Sequence, residues 1–265
     1  EQMSAAISTV TSKDGTTIAF DRIGGGPPLI LVVGAFNDRS AGAPLADVLA
    51  SDFTAITYDR RGRGASGDTE PYAIEREVED LEALIDAVGG KAVVFGYSSG
   101  AALALKAVTV GSAVTKLALY DLPPVVEDGS PRDPIDHAAR LADLIAEDRR
   151  GDAVEYFQSK LVGIPEEIVA QLRQAPFRAS LEAMAHTLVY EAMIVGERWG
   201  PKDLASSVTV PTLAVAAGAA SPLLPAAADA LAAAVSSARA VTLDGQTHDI
   251  DPMVLGPLLK EFLVG

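Results

Sequence analysis

The chain has 265 residues, of which 49% are hydrophobic and 22% are charged. A chain of about this length buries roughly three quarters of the surface that its unfolded form exposes, and this composition excludes a disordered or fibrous protein. The formal net charge of −15 disfavours nucleic acid and anionic membrane surfaces as partners. Since there is no cysteine, disulfides, thiolate metal sites and a cysteine nucleophile are excluded as well.

Residues 1–4 show no basic stretch followed by an apolar one, which would be the pattern of a secretory signal. The longest weakly polar stretch, 214–235, contains Pro222, Pro225 and Asp229, so it predicts no membrane-spanning helix. We therefore expect a cytoplasmic protein that binds neither membranes nor nucleic acid. The sequence leaves both a monomer and a homodimer open.

Short β-branched apolar runs alternate with helical patterns, which is typical of an α/β protein with a mostly parallel sheet and helices on both faces. Strands near 7–11 and 16–23 flank an Asp-Gly step that predicts an antiparallel hairpin. The remaining strands are predicted at 29–33, 53–58, 91–96, 114–120, 210–217 and 238–243. Helices are predicted beside them at 44–50, 75–88, 99–110, 226–235 and 252–263.

Two segments interrupt this alternation. The loop after strand 53–58 contains Arg60, Arg61 and Arg63, and we interpret it as a glycine-bent turn with solvated charges rather than an anion site. Between residues 122 and 207 the strand patterns give way to helical ones, and we predict a helical cap there. The cap helices are predicted at 137–148, 151–161, 166–174 and 180–197, and the core would then comprise 1–121 and 208–265.

Residues 96–100, Gly-Tyr-Ser-Ser-Gly, match G-x-S-x-G between a predicted strand and a predicted helix. Such a turn holds its central serine in a strained conformation, and its glycines let neighbouring elements approach. It also places Ser98 at a helix N-terminus, where free N–H groups favour a developing negative charge. We predict that Ser98 is a nucleophile and that the Ser99 N–H is an oxyanion donor. The alternatives are a turn without a catalytic serine and Ser99 as the nucleophile.

A serine nucleophile needs a base, and the chain has three histidines, His137, His186 and His248. An imidazole with a pKa near neutrality can accept the serine proton and return it to the leaving group. His137 and His186 fall in the predicted cap, whereas His248 lies between the last predicted strand and the last predicted helix. We predict that His248 is the base.

Over essentially its whole length the chain resembles the α/β-hydrolase family, and in particular its serine esterases and lactonases. The resemblance implies an eight-stranded, mostly parallel sheet with an inserted cap, and it places the base at His248. It also implies a second oxyanion donor after the third strand, with the Ala35 N–H as first choice and the Phe36 N–H as second. Many relatives carry His-Gly in that loop, where this chain has Val33-Gly34.

Most members of the family place an aspartate shortly after the seventh strand, but residues 218–221, Gly-Ala-Ala-Ser, contain no acid. Some relatives, the zearalenone lactonases among them, carry it after the sixth strand, where this chain has Asp121. A carboxylate at the carboxyl end of either strand can reach the same histidine. By this resemblance we predict that Asp121 orients His248. A capping role for Asp121 stays open, and Asp249 is a weaker alternative.

The predicted function is two-step cleavage of an ester or lactone of a small hydrophobic molecule, with neither a metal nor an organic cofactor. Predicted substrate contacts are Tyr97 and the cap side chains Met184, Leu188 and Trp199, although their helical spacing also fits plain packing of the cap. The same triad suits carbon–carbon bond hydrolysis or perhydrolase chemistry. A non-catalytic ligand-binding protein is a further alternative, favoured by the missing acid at Ser221.

Overall fold

The computed structural model describes residues 7–124 and 135–265, so the expectation for residues 1–4 lies outside it. Within these ranges eight strands form one sheet. They are β1 (Ser8–Thr11), β2 (Thr17–Ile23), β3 (Pro28–Val32), β4 (Thr54–Tyr58), β5 (Ala92–Tyr97), β6 (Val114–Tyr120), β7 (Thr212–Ala217) and β8 (Ala238–Leu243). The order in the sheet is β1-β2-β4-β3-β5-β6-β7-β8. The pairs β1–β2 and β2–β4 are antiparallel and the others are parallel, which confirms the predicted fold class.

Helices cover both faces of the sheet. They are α1 (Ala43–Leu49), α2 (Ile74–Ala87), α3 (Ser99–Thr109), α4 (His137–Ala146), α5 (Arg150–Tyr156), α6 (Glu166–Leu172), α7 (Arg178–Ala183), α8 (Leu188–Val195), α9 (Pro201–Ser207), α10 (Leu223–Ala234) and α11 (Pro252–Val264). Helices α1 and α11 pack on one face, and α2, α3 and α10 pack on the other. No helix of the described ranges is long and apolar enough to cross a bilayer.

The core consists of one hydrophobic cluster on each face of the sheet. Leu29 and Leu31 of β3 belong to the cluster under α1 and α11, whereas Ile30 and Val32 belong to the cluster under α2, α3 and α10. This division follows from strand geometry, because successive side chains point to opposite faces. The unbroken apolar run of β3 is thus buried on both sides, as is typical of parallel strands covered by helices. Rigid packing fixes the carboxyl ends of β3, β5 and β6 beside one another.

A third hydrophobic cluster lies among the helices between β6 and β7, where Leu188 of α8 is fully buried. The end of this block packs on the main core instead, since Leu204 of α9 belongs to the cluster under α2 and α3. We keep residues 122–207 as the proposed cap. Residues 125–134 of that segment lie outside the described residues.

Two predicted cap helices differ from the structure. The helix predicted at 151–161 is α5, continued by a π-helical segment over Phe157–Val162. The helix predicted at 180–197 is divided into α7, a short 3-10 turn and α8. At this break the Thr187 hydroxyl donates to the Met184 carbonyl at 2.7 Å. Side-chain bonds of this kind compete with the regular helical pattern, which periodicity alone does not reveal.

The arginines after β4 are buried, so their interpretation as solvated charges is wrong. Arg60 and Arg61 are 0% exposed, and Arg63 is 2% exposed. A buried guanidinium must be paired with a carboxylate. Arg61 makes hydrogen bonds of 2.7 and 2.8 Å to the two oxygens of Asp80, and the other two arginines pair with glutamates. The loop after β4 therefore forms buried ion pairs rather than a solvated turn.

Candidate active site

Ser98 stands at the junction of β5 and α3, in the turn that the sequence predicts. Its φ and ψ are 55° and −125°, and such a conformation costs a non-glycine residue about 1–3 kcal/mol. The Ser98 N–H donates to the Tyr120 carbonyl of β6 at 2.9 Å. A Cβ atom at Gly100 would lie 2.2 Å from the Val32 carbonyl oxygen, so glycine is needed for α3 to approach β3. The neighbouring strands therefore hold the turn in its strained form.

Three strained backbone positions meet at one edge of the sheet. Phe36 after β3, Ser98 after β5 and Asp121 after β6 have φ values of 62°, 55° and 52°. The strands β3, β5 and β6 are parallel neighbours, and the register pairs Tyr97 with Tyr120. Ser98 and Asp121, the next residue of each strand, therefore lie side by side. Because strain of this kind clusters at functional sites, this edge is the candidate site.

The Asp121 carboxylate is fully buried and uses both of its oxygens. Oδ2 lies 2.7 Å from His248 Nδ1, and Oδ1 accepts the Ala217 N–H at 2.7 Å. The Tyr120 hydroxyl donates to the Thr247 carbonyl at 2.8 Å, which fixes the segment that carries the imidazole. A carboxylate only accepts hydrogen bonds, so Nδ1 carries the hydrogen and the Nε2 lone pair of neutral His248 is left free. His248 is thereby oriented to accept a proton at Nε2.

The His248 imidazole lies on the open side of this edge, with its side chain 43% exposed. Its ring is 5.0 Å from the ring of Tyr97, measured between centroids, so it lies beside the residue that precedes Ser98. Within the described residues no hydrogen bond joins the Ser98 hydroxyl to His248. In unliganded enzymes such a bond is often long and tightens when substrate binds.

The backbone around Ser98 offers hydrogen-bond donors for an oxyanion. The Ser99 N–H is at the first position of α3, and in the described part of the chain no hydrogen bond engages it or the N–H groups of Ala35 and Phe36. A Cβ at Gly34 would lie 3.0 Å from Ser98 Cβ, so the loop after β3 adjoins the serine. The Ser99 side chain is buried, and its hydroxyl has no partner in the described residues. Ser99 can therefore act through its backbone but not as an exposed nucleophile.

The cap contacts the loop after β3 through aromatic and apolar side chains. The ring of Phe36 meets that of Phe157 edge to face, with centroids 5.5 Å apart. Ala35 and Phe36 pack against the cap cluster that contains Leu188. Trp199 packs against the sheet cluster under α2 and α3 instead. The cap thus places an apolar surface over the proposed oxyanion loop.

Sequence reasoning overlooked Phe157 in this contact. The feature that could have identified it is an aromatic side chain on the apolar side of the helix predicted at 151–161. Of the predicted substrate contacts in the cap, Leu188 shares the buried cluster with Phe157, and Met184 lies half-buried after α7. Their roles toward substrate, like that of Tyr97, stay predictions.

The half-buried Tyr97 and the buried Tyr120 border the pair formed by Asp121 and His248. Burial raises the pKa of Tyr97 well above its ordinary value, and the carboxylates of Asp249 and Asp121 raise it further. Burial and the same acids raise the pKa of Tyr120 to about 12. Both phenols are therefore neutral at ordinary pH, and that of Tyr120 is the donor to the Thr247 carbonyl. In the described residues no three His, Asp or Glu side chains gather as ligands for a metal.

Residues 29–255 match the model of the alpha/beta hydrolase family. The chain belongs to this family. The relation confirms the resemblance seen in the sequence, and it covers β3 to β8 together with the helices between them.

Solved structures and a curated relative resemble this alpha/beta hydrolase. An alpha/beta hydrolase from Sphaerobacter thermophilus DSM 20745 is 50% identical, with a TM-score of 0.88 over 97% of this chain and 100% of that one. The enol-lactonase from Burkholderia xenovorans LB400 is 22% identical, with a TM-score of 0.72 over 97% and 100% of the two chains. The hydrolase YraK of Bacillus subtilis is 37% identical over 95 residues, which are 34% of this chain and 35% of that protein. This chain thus spans about a third of the length of that curated relative.

In this alpha/beta hydrolase the turn after β7, residues 218–221, contains no carboxylate. The end of β7 instead binds the acid of the neighbouring strand. The Ala217 N–H donates to Asp121 Oδ1, and the Asp121 N–H donates to the Val215 carbonyl at 2.8 Å. Asp121 is therefore anchored to β7, the strand after which most relatives carry their own aspartate.

Proposed function

We propose that the chain is a serine hydrolase that cleaves an ester or lactone bond of a small hydrophobic substrate through an acyl-enzyme on Ser98. The observation that carries the proposal is the 2.7 Å contact between Asp121 and His248, made beside a serine held at φ 55°. This arrangement matches the roles of nucleophile, base and orienting acid in a catalytic triad. Each step uses groups that the chain itself provides.

In the first step the Ser98 oxygen attacks the carbonyl carbon while His248 Nε2 takes the hydroxyl proton. The buried Asp121 carboxylate holds the imidazole in the required tautomer and stabilises its positive charge. His248 then returns the proton to the departing alcohol oxygen as the carbon–oxygen bond breaks, and the acyl group stays on Ser98. Water, deprotonated by the same imidazole, attacks the acyl carbon, and the acid leaves as its bond to Ser98 breaks and His248 returns the proton to the Ser98 oxygen.

The negative charge that develops on the carbonyl oxygen needs fixed hydrogen-bond donors. The Ser99 N–H, at the start of α3, supplies one and benefits from the positive end of the helix dipole. The loop after β3 supplies the other, with the Ala35 N–H as first choice and the Phe36 N–H as second. Because these donors act most strongly on the charged oxygen, they stabilise the transition state more than the bound ester.

The choice of a hydrophobic substrate follows from the cap. Phe157 and Leu188 belong to one apolar cluster of the cap, and Phe36 of the proposed donor loop packs against it. Such a surface favours an apolar acyl or lactone group over a charged one. Phe157→Ala should therefore raise KM for p-nitrophenyl octanoate more than for p-nitrophenyl acetate.

The test compares two adjacent serines. Ser98→Ala removes the proposed nucleophile, whereas Ser99→Ala removes a buried hydroxyl without a partner in the described residues and keeps the backbone N–H. We expect Ser98→Ala to abolish p-nitrophenyl butyrate hydrolysis and labelling by a fluorophosphonate, and Ser99→Ala to retain both. Labelling of Ser98→Ala, or an unmodified protein that neither hydrolyses nor labels, would contradict the proposal.

A further inference from the structure

The buried arginines after β4 take no part in the reaction proposed above. Arg60 makes hydrogen bonds of 2.7 and 2.8 Å to Glu77 of α2, and one of 2.9 Å to Glu191 of α8. Arg63 pairs with the same Oε1 atom of Glu191. These four residues, here named the arginine–carboxylate cluster, are all buried. Two guanidinium groups thus face two carboxylates, one of which comes from the proposed cap.

The cluster binds the loop that follows β3. Arg63 Nη1 donates to the Gly34 carbonyl at 2.9 Å and to the Asn37 carbonyl at 3.3 Å. Arg60 Nη1 donates to the Val33 carbonyl at 3.2 Å. Three carbonyl oxygens of one short loop are therefore directed at the two guanidinium groups.

Fixing the Gly34 carbonyl also fixes the Ala35 N–H. The two groups belong to one planar trans peptide unit, in which C=O and N–H point in opposite directions. Because Arg63 holds the oxygen on one side, the Ala35 N–H faces the other side, and no hydrogen bond engages it within the described residues. The same loop adjoins Ser98, as the 3.0 Å approach of a Cβ at Gly34 demonstrates.

We propose that Arg63 and Glu191 are positioning residues for the oxyanion hole. Glu191 of α8 holds Arg63, and Arg63 orients the Gly34–Ala35 peptide so that its N–H faces the developing oxyanion. This inference rests on the proposed function. If Glu191 has this role, α8 must pack correctly on the core for the transition state to be stabilised. A misdirected donor affects the transition state more than the bound ester, so its loss lowers kcat more than it raises KM.

Arg61 provides a matched control. It is as buried as Arg63 and pairs with Asp80 of α2, but its hydrogen bonds go to Asp80, Asp14 and the Arg76 carbonyl and not to the loop after β3. Loss of either arginine should therefore lower stability. Only loss of Arg63 should misdirect an oxyanion donor.

The experiment compares Arg63→Lys with Arg61→Lys. Lysine keeps the positive charge beside the carboxylate, but one ammonium group cannot span Glu191 and two carbonyls. With p-nitrophenyl butyrate, we expect Arg63→Lys to lower kcat about 10²-fold with little change in KM, and to slow fluorophosphonate labelling in parallel. Arg61→Lys should keep kcat and the labelling rate, although thermal denaturation should show both variants destabilised.

Glu191→Gln and Asp80→Asn form a second pair that tests the link to the cap. The first removes the carboxylate that holds Arg63, and we expect it to lower kcat, whereas the second should lower stability alone. Equal effects of Arg63→Lys and Arg61→Lys on kcat, or normal labelling of folded Arg63→Lys, would overturn the positioning role while the proposed function stands. An unmodified protein that does not label would overturn both.

Discussion

Asp121→Asn tests the proposed triad at its least conventional member. In the folded chain Oδ1 of Asp121 accepts the Ala217 N–H, and Oδ2 faces His248 Nδ1. Asparagine has nearly the same shape, so it should keep its carbonyl on the Ala217 N–H and present its NH₂ group to the imidazole. The reverse orientation would leave the buried Ala217 N–H facing another donor, at a cost of about 1–3 kcal/mol.

The NH₂ group forces His248 into the tautomer that carries hydrogen on Nε2. That nitrogen can no longer accept the Ser98 proton, and we expect kcat for p-nitrophenyl butyrate to fall about 10⁴-fold. The loss corresponds to about 5.5 kcal/mol of transition-state stabilisation. The melting temperature should change little, because the substitution is nearly isosteric and keeps the Ala217 contact.

Asp249→Asn is the matched control, since Asp249 is next to His248 in the chain, is exposed, and makes no hydrogen bond to the imidazole in the described residues. It should retain nearly normal kcat. If Asp121→Asn keeps activity within tenfold of the unmodified enzyme, or if Asp249→Asn loses as much, the orienting role of Asp121 is refuted.

Three further outcomes follow from the same edge of the sheet and its surroundings. Ser98→Gly should abolish activity yet raise the free energy of unfolding by about 1 kcal/mol in urea denaturation, since glycine adopts φ 55° without strain. Gly100→Ala should lower that free energy by about 3 kcal/mol, because its Cβ would lie 2.2 Å from the Val32 carbonyl; Gly25→Ala, which meets open space, should not. Burial lowers the pKa of His186, so the folded state binds its proton less readily than the unfolded state. Stability should therefore fall as pH decreases below about 6.5, and His186→Gln should weaken this dependence in melting curves from pH 7.5 to 5.

The sheet and the G-x-S-x-G turn could be predicted because their signals are local. Each parallel strand is an apolar run bounded by turn residues, and the G-x-S-x-G turn lies within five residues. The acid required the family resemblance, since the sequence alone gives Asp121 a capping role as readily. The coordinates bring Asp121 to His248 across 127 residues of chain. The catalytic roles of these residues and of Ser98 stay predictions.

The arginine loop could not be interpreted correctly because its partners are distant in the sequence. Arg60 meets Glu77 across 17 residues and Glu191 across 131 residues. Local composition shows charges and glycines, which are equally typical of a solvated turn. Only the folded chain brings these carboxylates next to the arginines. Their charge offsets the free-energy cost of burying a guanidinium. The broken helices of the cap were missed for a related reason, since periodicity does not register a side-chain bond such as that of Thr187 to Met184.

Because the carboxylate that contacts His248 comes from Asp121, directly after β6, the turn after β7 does not have to supply one. Ala219 and Ala220 of this turn are exposed, and the Ala219 hydrogen bond to Gln246 involves only the backbone, whereas a Cβ at Gly218 would lie 3.1 Å from the Leu243 carbonyl oxygen. New side chains at 219 and 220 need not disturb the contact between Asp121 and His248, whereas in relatives with an aspartate at that turn the same replacement removes the carboxylate. This short segment is thus a permissive place to graft or diversify sequence when the enzyme's selectivity is to be redesigned.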